Sequence, residues 1–504
     1  MHFSIPDSVE VRGGDTSYLI YNLYVNGNFH CSLRYRQFLG LHEQLRKEVG
    51  TGNLPAFPPK KFLSLTSGQL EERRCRIEKY IQTASQNQDV AKSELFTGFL
   101  RLAQHETSAE PVSKRSLDVY LPNGHQMMNV DVWNNASTSV LLKIVAEELK
   151  LREDFTEYFG LYINRKEPDG TWIVVRKLEE YESPCISIKW LNRLNEDHRI
   201  VLRKCSWDLS VDNMIVEDAV GLFLIYVQTV ADIENGWIMV PREILKQLTS
   251  FQSKGNKKDY VMTARRLRFY GYFKFPYCHI ESPLMNEITV YVGNKELVVV
   301  TPRREEIVYK ISRMKCWRIT LHHEIGGGMK AEMSFEYLLS KDKLEWVTIA
   351  SELSVIMALC LKEMVADFVA HDLAKQHPQN PSHIGVQSVR SMLYFIRRDG
   401  ETVPLNEDII LGKPFSNGNR STASGSSNSS PTISTNGRAS SSNPSTPTTS
   451  LSRNGSSDFQ PSMGVTKRRP SSSSIRHHQN SIINSNDNLF LENSAFAGIG
   501  DDDL

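Results

Sequence analysis

Hydrophobic and polar residues follow two different periods over residues 1–110. Alternation in YLIYNLYV (18–25) predicts a β-strand, and the dipeptide Asn26-Gly27 predicts a tight turn into a second strand, NFHCSLRY. Helical spacing follows in FLGLHEQLRKEV and, after the proline-rich loop LPAFPPKK (54–61), in QLEERRCRIEKYIQTASQ. These patterns predict a three-stranded meander packed by helices.

A second pattern begins near residue 114. A hairpin around Asn123-Gly124, a helix that Ser137 could cap and three further strands follow one another within residues 114–205. This order is typical of a ubiquitin-like fold. Residues 206–268 then show helical periodicity alone, which predicts an all-helical block.

Strand patterns dominate residues 269–390. The predicted strands are GYFKF, ITVYV, ELVVV, IVYKI, CWRITL, MSFEYLL and WVTIA, and the closing helix is SVIMALCLKEMVADFVAHD. Seven strands with a capping helix predict a bent sandwich of the pleckstrin or phosphotyrosine-binding type. The connector that follows, residues 391–413, begins within the helix-like run RSMLYFIRR, which could dock as a last element.

Composition changes sharply near residue 414. From there to residue 490 the chain consists mainly of Ser, Asn, Thr, Gly and Pro. Such a segment cannot bury enough apolar surface to offset its chain entropy, so a disordered linker is predicted over residues 414–490. Apolar residues return among acidic ones only in the final segment, 491–504.

Charge and cysteine content limit the classes of function. The 504 residues include 59 Lys and Arg against 58 Asp and Glu, and this balance argues against a nucleic-acid-coating protein. The seven widely spaced cysteines indicate reduced thiols in the cytosol rather than disulfides or a zinc site. The amino terminus lacks a signal-peptide pattern, and VGLFLIYV (220–227) is too short to span a bilayer. A soluble cytoplasmic protein is predicted, which would act on membranes only from their surface.

Several segments resemble a known family. SLRYRQFLGLHEQL, LPAFPPKK and EERRCRIEKYI resemble a PX domain, the phosphoinositide-binding module, and the next three blocks resemble the lobes of a FERM domain. This pairing is characteristic of the PX-FERM sorting nexins, which MHFSIP, FEYLLSKDKLEWVTI and AFAGIGDDDL also resemble. The Ser-rich segment resembles nothing that we can name.

The resemblance implies an α+β multidomain protein with a PX domain, a three-lobed FERM domain and a disordered tail. The predicted boundaries are 1–110 for the PX domain, 114–205, 206–268 and 269–390 for the FERM lobes, 391–413 for the connector, 414–490 for the linker and 491–504 for a partner-binding motif.

The implied lipid site lies in the PX domain. A phosphoinositide head group needs a fork-shaped donor for its 3-phosphate, a flat surface under the inositol ring and further cations. By resemblance, Arg34 binds the 3-phosphate and Tyr35 forms the floor. Lys60 meets the 1-phosphate, and Arg73 binds ring hydroxyls. The implied ligand is phosphatidylinositol 3-phosphate of early endosomes, whereas the alternative is that these residues are ordinary surface charges.

The loop after Lys60 and Lys61 is a candidate for membrane insertion. Its residues FLSL (62–65) place apolar side chains beside basic ones, so Phe62 and Leu63 could enter the bilayer while the lysines meet anionic lipid. The alternative is that Phe62 and Leu63 belong to the core.

A peptide site is implied in the third lobe. Phosphotyrosine-binding-type folds take a peptide as an extra strand beside an edge strand, which by family order is CWRITL. Trp317, Leu338 and Val365 are the predicted peptide-binding residues, although residues of these types are often core. The implied ligand is an Asn-Pro-x-Tyr-type motif in a receptor tail. Arg318 alternates to the face opposite Trp317, so binding without phosphorylation is predicted.

The extreme carboxyl terminus has the form of a peptide ligand on a tether. Its predicted partner-binding residues are Phe496, Ile499, Asp502, Asp503 and Leu504. The resemblance implies docking on the Retriever complex, which returns cargo to the plasma membrane. A PDZ ligand and a frayed end remain as alternatives.

Catalytic motifs are missing from the sequence. There is no G-x-G-x-x-G, P-loop or H-R-D motif, and His322, His323 and Glu324 lack the H-E-x-x-H spacing of a zinc protease. We therefore expect no catalytic residues, metal or cofactor. The function implied is an endosomal cargo adaptor that diverts receptors from lysosomal degradation into recycling. A FERM-type membrane-cytoskeleton linker and a small-GTPase effector scaffold are the alternatives.

Overall fold

The computed structural model describes residues 1–13, 16–61, 65–193, 196–280, 287–323, 329–340, 343–376, 393–405 and 487–492. All of these residues belong to one compact part of the chain.

The first unit, residues 1–110, is an antiparallel sheet covered by helices. Its elements are β1 (Phe3–Ser4), β2 (Ser8–Gly13), β3 (Thr16–Val25), β4 (Asn28–Arg34), α1 (Tyr35–Glu48), a 3-10 turn (Thr51–Asn53), α2 (Ser67–Ala84), α3 (Gln88–Ala91) and α4 (Glu94–Ser108). Strand β3 pairs with β1, β2 and β4, so the short β1 adds to the predicted meander. Asn26 and Gly27 both have positive φ, as a two-residue hairpin turn of type I′ requires.

The second block, residues 114–205, contains β5 (Lys114–Tyr120), β6 (Met127–Trp133), α5 (Thr138–Leu149), a 3-10 turn (Glu153–Tyr158), β7 (Phe159–Lys166), β8 (Trp172–Lys177), α6 (Pro184–Asn192) and β9 (His198–Lys204). The strand order is β6-β5-β9-β7-β8, with β5 and β9 parallel. The hydroxyl of Ser137 accepts a hydrogen bond from the Val140 N–H, so the predicted cap of α5 is confirmed.

The third block is helical, as its periodicity predicts. It contains α7 (Asp212–Ile215), α8 (Ala219–Glu234), α9 (Arg242–Ser253) and α10 (Lys257–Ala264). Arg203 on β9 and Asp232 on α8 form a buried ion pair at 2.9 Å that joins this block to the preceding sheet.

The fourth block, which is the predicted third FERM lobe and is called the third lobe below, contains β10 (Phe273–Ile280), β11 (Glu287–Gly293), β12 (Glu296–Val300), β13 (Glu306–Lys310), a 3-10 turn (Ile311–Arg313), β14 (Met314–His323), β15 (Met329–Ser340), β16 (Lys343–Ala350) and α11 (Ser354–Gln376). All seven predicted strands and the closing helix are present. The sheet order is β13-β12-β11-β10-β16-β15-β14, so β14 is the last strand that the lobe itself supplies. Residues of α11 such as Met357 and Leu361 are buried in the same core as this sheet.

The helix prediction for RSMLYFIRR is wrong where the structure describes it. Residues 393–405 form a hairpin of β17 (Tyr394–Ile396) and β18 (Thr402–Pro404) that packs on the first unit. A three-residue apolar run is compatible with either period, and the docking surface that selects the strand is distant in sequence. The prediction that this segment docks was right.

A strand also forms within the predicted disordered linker. Strand β19 (Asp487–Glu492) starts before residue 491 and pairs antiparallel with β14. Composition alone did not predict it, because the partner that satisfies its backbone is the edge of a sheet far away in sequence.

Candidate functional site

A basic cleft of about 230 Å³ lies where β4 meets α1. Strand β3, the start of α1 and helix α2 contribute its walls. The lining residues are Tyr18, Leu19, Tyr21, Arg34, Tyr35, Arg36, Leu70 and Arg73. Three of these residues carry a guanidinium and none carries a carboxylate, so the cleft has the charge that an anionic ligand requires.

Arg34 is held on several sides. It ends β4 and precedes α1, where its N–H donates to Oε1 of Gln37 at 2.9 Å. Its guanidinium lies 4.0 Å from the centre of the Tyr18 ring, and its Nη1 donates to the Arg398 carbonyl at 2.8 Å. Burial and the neighbouring charge of Arg36 lower the pKa of Arg34. The side chain is therefore partly desolvated and oriented without a carboxylate partner lining the cleft.

Arg73 faces Arg34 from α2. Its guanidinium lies 4.7 Å from the centre of the Tyr35 ring, and its Nη2 is buried without a hydrogen-bond partner among the described residues. The next residue, Arg74, makes ion pairs with Glu71 at 2.6 Å and Glu78 at 3.3 Å. Adjacent arginines thus differ: Arg74 pairs with two carboxylates, whereas Arg73 lines the cleft against the Tyr35 ring and hydrogen-bonds to the Tyr21 side chain.

Tyr35 connects the cleft to the proline-rich loop. Its hydroxyl donates to the carbonyl of Pro58 at 2.7 Å, and its ring lies 5.6 Å from that of Phe57. Lys60, two residues beyond Pro58, is exposed and does not line the cleft. The structure therefore brings Arg34, Tyr35 and Arg73 together and leaves Lys60 on the adjoining loop.

Five lining residues were not singled out from the sequence, and two of them bear directly on the charge and shape of the cleft. Tyr18 supplies the ring under Arg34, and Arg36 adds a third cation. Arg36 stands two residues after Arg34 in the run RYRQ, so spacing gave a signal that was not used. The predicted insertion residues Phe62 and Leu63 lie outside the described residues.

The predicted peptide edge is paired with another segment of the chain. Strand β19 runs antiparallel to β14, with Cα partners from Cys316 opposite Glu492 to Leu321 opposite Asp487. Trp317 stands opposite Leu491 in this register. Six residue pairs thus cover the backbone edge that a peptide would use.

The three predicted peptide-binding residues are not equivalent. Trp317 is 1% exposed and Val365 is 6% exposed, and both belong to the core between the sheet and α11. Leu338 lies on β15 opposite Leu344 of β16, past the end of the β14–β15 pairing. Trp317 and Val365 therefore form the floor of the edge, and Leu338 stands apart from it.

Arg318 lies on the other face of β14 from Trp317. Its guanidinium is 4.7 Å from the centre of the Trp346 ring on β16. The Arg318 side chain therefore lies against an aromatic ring on that face rather than beside Trp317, and binding without phosphorylation stays a prediction.

The terminal residues Phe496, Ile499, Asp502, Asp503 and Leu504 lie outside the described residues. None of the described helices is long and apolar enough to cross a bilayer. Within the described ranges, no group of three His, Cys, Asp or Glu side chains is placed to hold a metal ion.

Family models match the chain in four consecutive blocks. They are a PX domain (21–103), the FERM F1 lobe of sorting nexins 17, 27 and 31 (115–207), the F2 lobe of sorting nexins 17 and 31 (208–268) and the FERM C-terminal domain of sorting nexin 17 (271–369). These matches confirm the predicted order of a PX domain followed by three FERM lobes.

Curated relatives give the same assignment. Sorting nexin-17 of Homo sapiens is 42% identical over 388 residues, which cover 73% of this chain and 82% of that protein. Sorting nexin-31 of Homo sapiens is 29% identical over 439 residues, which cover 82% and 98% respectively. A designed CISK-PX domain, solved by X-ray crystallography, is 31% identical with a TM-score of 0.19 and covers 20% of this chain and 97% of that one.

Proposed function

The chain belongs to the PX-FERM sorting nexins, the family of sorting nexins 17, 27 and 31, and we propose that it is an endosomal cargo adaptor that binds phosphatidylinositol 3-phosphate and receptor-tail peptides together. Family membership and the PX domain support a sorting role with peripheral association at endosomal membranes. Members of this family are adaptors rather than enzymes. The proposal adds the lipid, the cargo motif and the order of events.

The observation that carries the lipid proposal is the pair Arg34 and Arg73, each over a tyrosine ring in a cleft without a carboxylate. In this cleft the fork of Arg34 would donate to the 3-phosphate, and Arg73, which lines the same cleft, would donate to the ring hydroxyls. Charge-assisted hydrogen bonds contribute about 1.5 to 3 kcal/mol each. Arg34→Gln should therefore cost about 3 kcal/mol, or roughly 100-fold in affinity for vesicles containing phosphatidylinositol 3-phosphate.

The test uses the full chain in a vesicle sedimentation assay. Arg76→Gln is the matched control. Arg76 is on α2, the helix that carries Arg73, and it is exposed and pairs only with Glu72 among the described residues. The control should bind within twofold of wild type. If Arg34→Gln bound as tightly as Arg76→Gln, the lipid site would not be this cleft.

For cargo, we propose strand addition at β14. The backbone edge of β14 and the adjoining helix α11 provide what phosphotyrosine-binding-type folds use to hold an Asn-Pro-x-Tyr-type peptide. Because β19 pairs with the same edge, cargo and β19 compete for it. Cargo binding would then release the carboxyl-terminal segment, and that segment would be free to recruit Retriever and direct cargo back to the plasma membrane.

A peptide titration tests the cargo proposal, and a pull-down tests the proposed recruitment of Retriever. Plain and tyrosine-phosphorylated Asn-Pro-x-Tyr peptides should bind with similar affinity, because Arg318 is engaged with Trp346. A large preference for the phosphorylated peptide would contradict this. Deleting residues 502–504 should abolish Retriever capture in a pull-down while leaving peptide affinity unchanged.

A further inference from the structure

The hairpin of residues 393–405 follows the third lobe in sequence but completes the core of the first unit in space. Phe395 is 3% exposed, and its ring centre lies 5.6 Å from that of Phe99 on α4. Gly40 on α1 permits the approach of Ile396, because a Cβ there would lie 2.5 Å from Cδ1 of Ile396. The hairpin is therefore packed into the predicted PX domain rather than lying on its surface.

Two glutamines of α1 anchor the hairpin backbone. The Gln44 amide donates to the Tyr394 carbonyl at 2.7 Å and accepts from the Tyr394 N–H at 2.8 Å. Gln37 donates to the Ile396 carbonyl at 2.9 Å while its Oε1 accepts from the Arg34 N–H. One side chain thus links the backbone of the proposed phosphate-binding arginine to the hairpin.

The turn of the hairpin reaches the basic cleft itself. The Arg398 carbonyl accepts hydrogen bonds from Nη1 of Arg34, at 2.8 Å, and from Arg36. The turn is fixed in its own right, because Nη2 of Arg398 donates to the Ser32 carbonyl at 2.6 Å and to the Thr107 hydroxyl at 2.7 Å. A rigid carbonyl with two lone pairs therefore orients two guanidiniums of the cleft.

We propose that the hairpin of residues 393–405 is a positioning element of the head-group site, an inference that rests on the proposed lipid function. A free arginine side chain must lose rotamer freedom when it binds phosphate, and an arginine held beforehand loses less. The carbonyl occupies one nitrogen of the Arg34 fork and leaves the others for the ligand. The PX domain of this chain is thus complete only when residues 393–405 are docked.

The test is Arg398→Lys in the full chain. Lysine keeps the positive charge, so long-range attraction to anionic lipid is unchanged, but its ammonium ends one bond short of the Nη2 position that donates to both Ser32 and Thr107. We expect the affinity gained by adding phosphatidylinositol 3-phosphate to phosphatidylserine vesicles to fall about 10-fold, with binding to phosphatidylserine alone unchanged. Arg397→Lys is the matched control, since the Arg397 side chain is 47% exposed, and it should bind within twofold of wild type.

A double-variant comparison separates positioning from general damage. If the hairpin acts by holding Arg34 and Arg36, Arg398→Lys costs less affinity in the Arg34→Gln background than in the wild-type chain. If the two losses multiply, or if Arg398→Lys equals wild type, the inference is wrong. If Arg34→Gln has no effect in the wild-type chain, the lipid proposal itself fails and the inference fails with it.

Gly400→Ala provides a second variant, which replaces none of the side chains that anchor the turn. Gly400 has φ of +102°, and a Cβ there would lie 2.6 Å from Nη1 of Arg36. Either the turn or the Arg36 guanidinium must shift to accept the Cβ, and the positive φ strains any residue other than glycine, so lipid affinity should fall several-fold. An unchanged affinity of the third lobe for receptor peptide would report that the chain remains folded. Unchanged lipid affinity in this variant would also count against the inference.

Discussion

Deleting residues 487–492 should raise the affinity of the third lobe for an Asn-Pro-x-Tyr-type peptide, because the deletion removes β19 from the edge of β14. Six residue pairs join the two strands, and each net backbone hydrogen bond contributes about 1 kcal/mol. Ordering a residue costs about 1 to 2 kcal/mol. The backbone terms alone therefore nearly cancel, so the occupancy of the edge depends on the total affinity of the untethered strand and on the tether.

The size of the effect follows from the length of that tether. About 80 residues separate Leu405 from Asp487, and a Ser-rich coil of that length has a mean end-to-end distance of roughly 50 Å. At that distance the tether holds β19 at an effective concentration of a few millimolar near the edge of β14. With a dissociation constant of about 0.1 mM for the untethered strand, β19 would cover the edge in all but a few percent of molecules. The deletion should then tighten cargo binding by about 10- to 100-fold.

Isothermal titration of the peptide into each variant measures this directly. A deletion of residues 440–445, in the Ser- and Asn-rich segment, removes the same number of residues but leaves β19 in place, so this control should match wild type. Equal peptide affinities for wild type and the 487–492 deletion would refute competition at the edge. The same gain in the control deletion would refute the assignment of the effect to β19.

Further predictions concern the stability of the fold. Burial lowers the pKa of His30 to about 4. Between pH of about 6.5 and 4 the unfolded chain binds this proton and the folded chain does not, so the free energy of unfolding falls by up to about 3 kcal/mol as the pH is lowered through that range. His30→Asn should flatten that part of a plot of unfolding temperature against pH. Phe395→Ala should cost about 3 to 5 kcal/mol and lower the unfolding temperature if the hairpin is part of the core, whereas no change would show that it is not. Asp232→Ala should cost about 3 to 5 kcal/mol, because it leaves Arg203 buried without its partner, and denaturant unfolding would measure the loss. Ser137→Ala should cost about 1 kcal/mol by removing the cap of α5, and a loss above 3 kcal/mol would point to another role.

Local patterns predicted most of the fold because each signal is short in range. Alternation identified the strands of the third lobe, and Asn26-Gly27 identified a turn that needs two positive φ angles. The basic cleft was predicted in part, since Arg34, Tyr35 and Arg73 come together, but the family motif did not assign Tyr18 or Arg36.

Contacts between distant segments set the limit of that prediction. Residues 394–396 look helical by spacing, yet Phe395 is a strand residue because its partners lie on α1 and α4. Strand β19 is likewise fixed by the edge of β14, and nothing in its polar surroundings signals that pairing. Trp317 was predicted to face a ligand; it is 1% exposed with β19 paired beside it, so its contact with a peptide stays a prediction.

The central claim is that one chain binds lipid and cargo peptide at the same time. Recruitment of the full chain to vesicles tests this claim most directly. Vesicles would carry phosphatidylinositol 3-phosphate, a tethered Asn-Pro-x-Tyr peptide, both or neither. Two weak contacts on one body should hold the protein at least 10-fold more tightly on vesicles with both ligands than on either alone, and Arg34→Gln should remove the gain. Recruitment to doubly loaded vesicles that equals the sum of the single ligands would contradict the account.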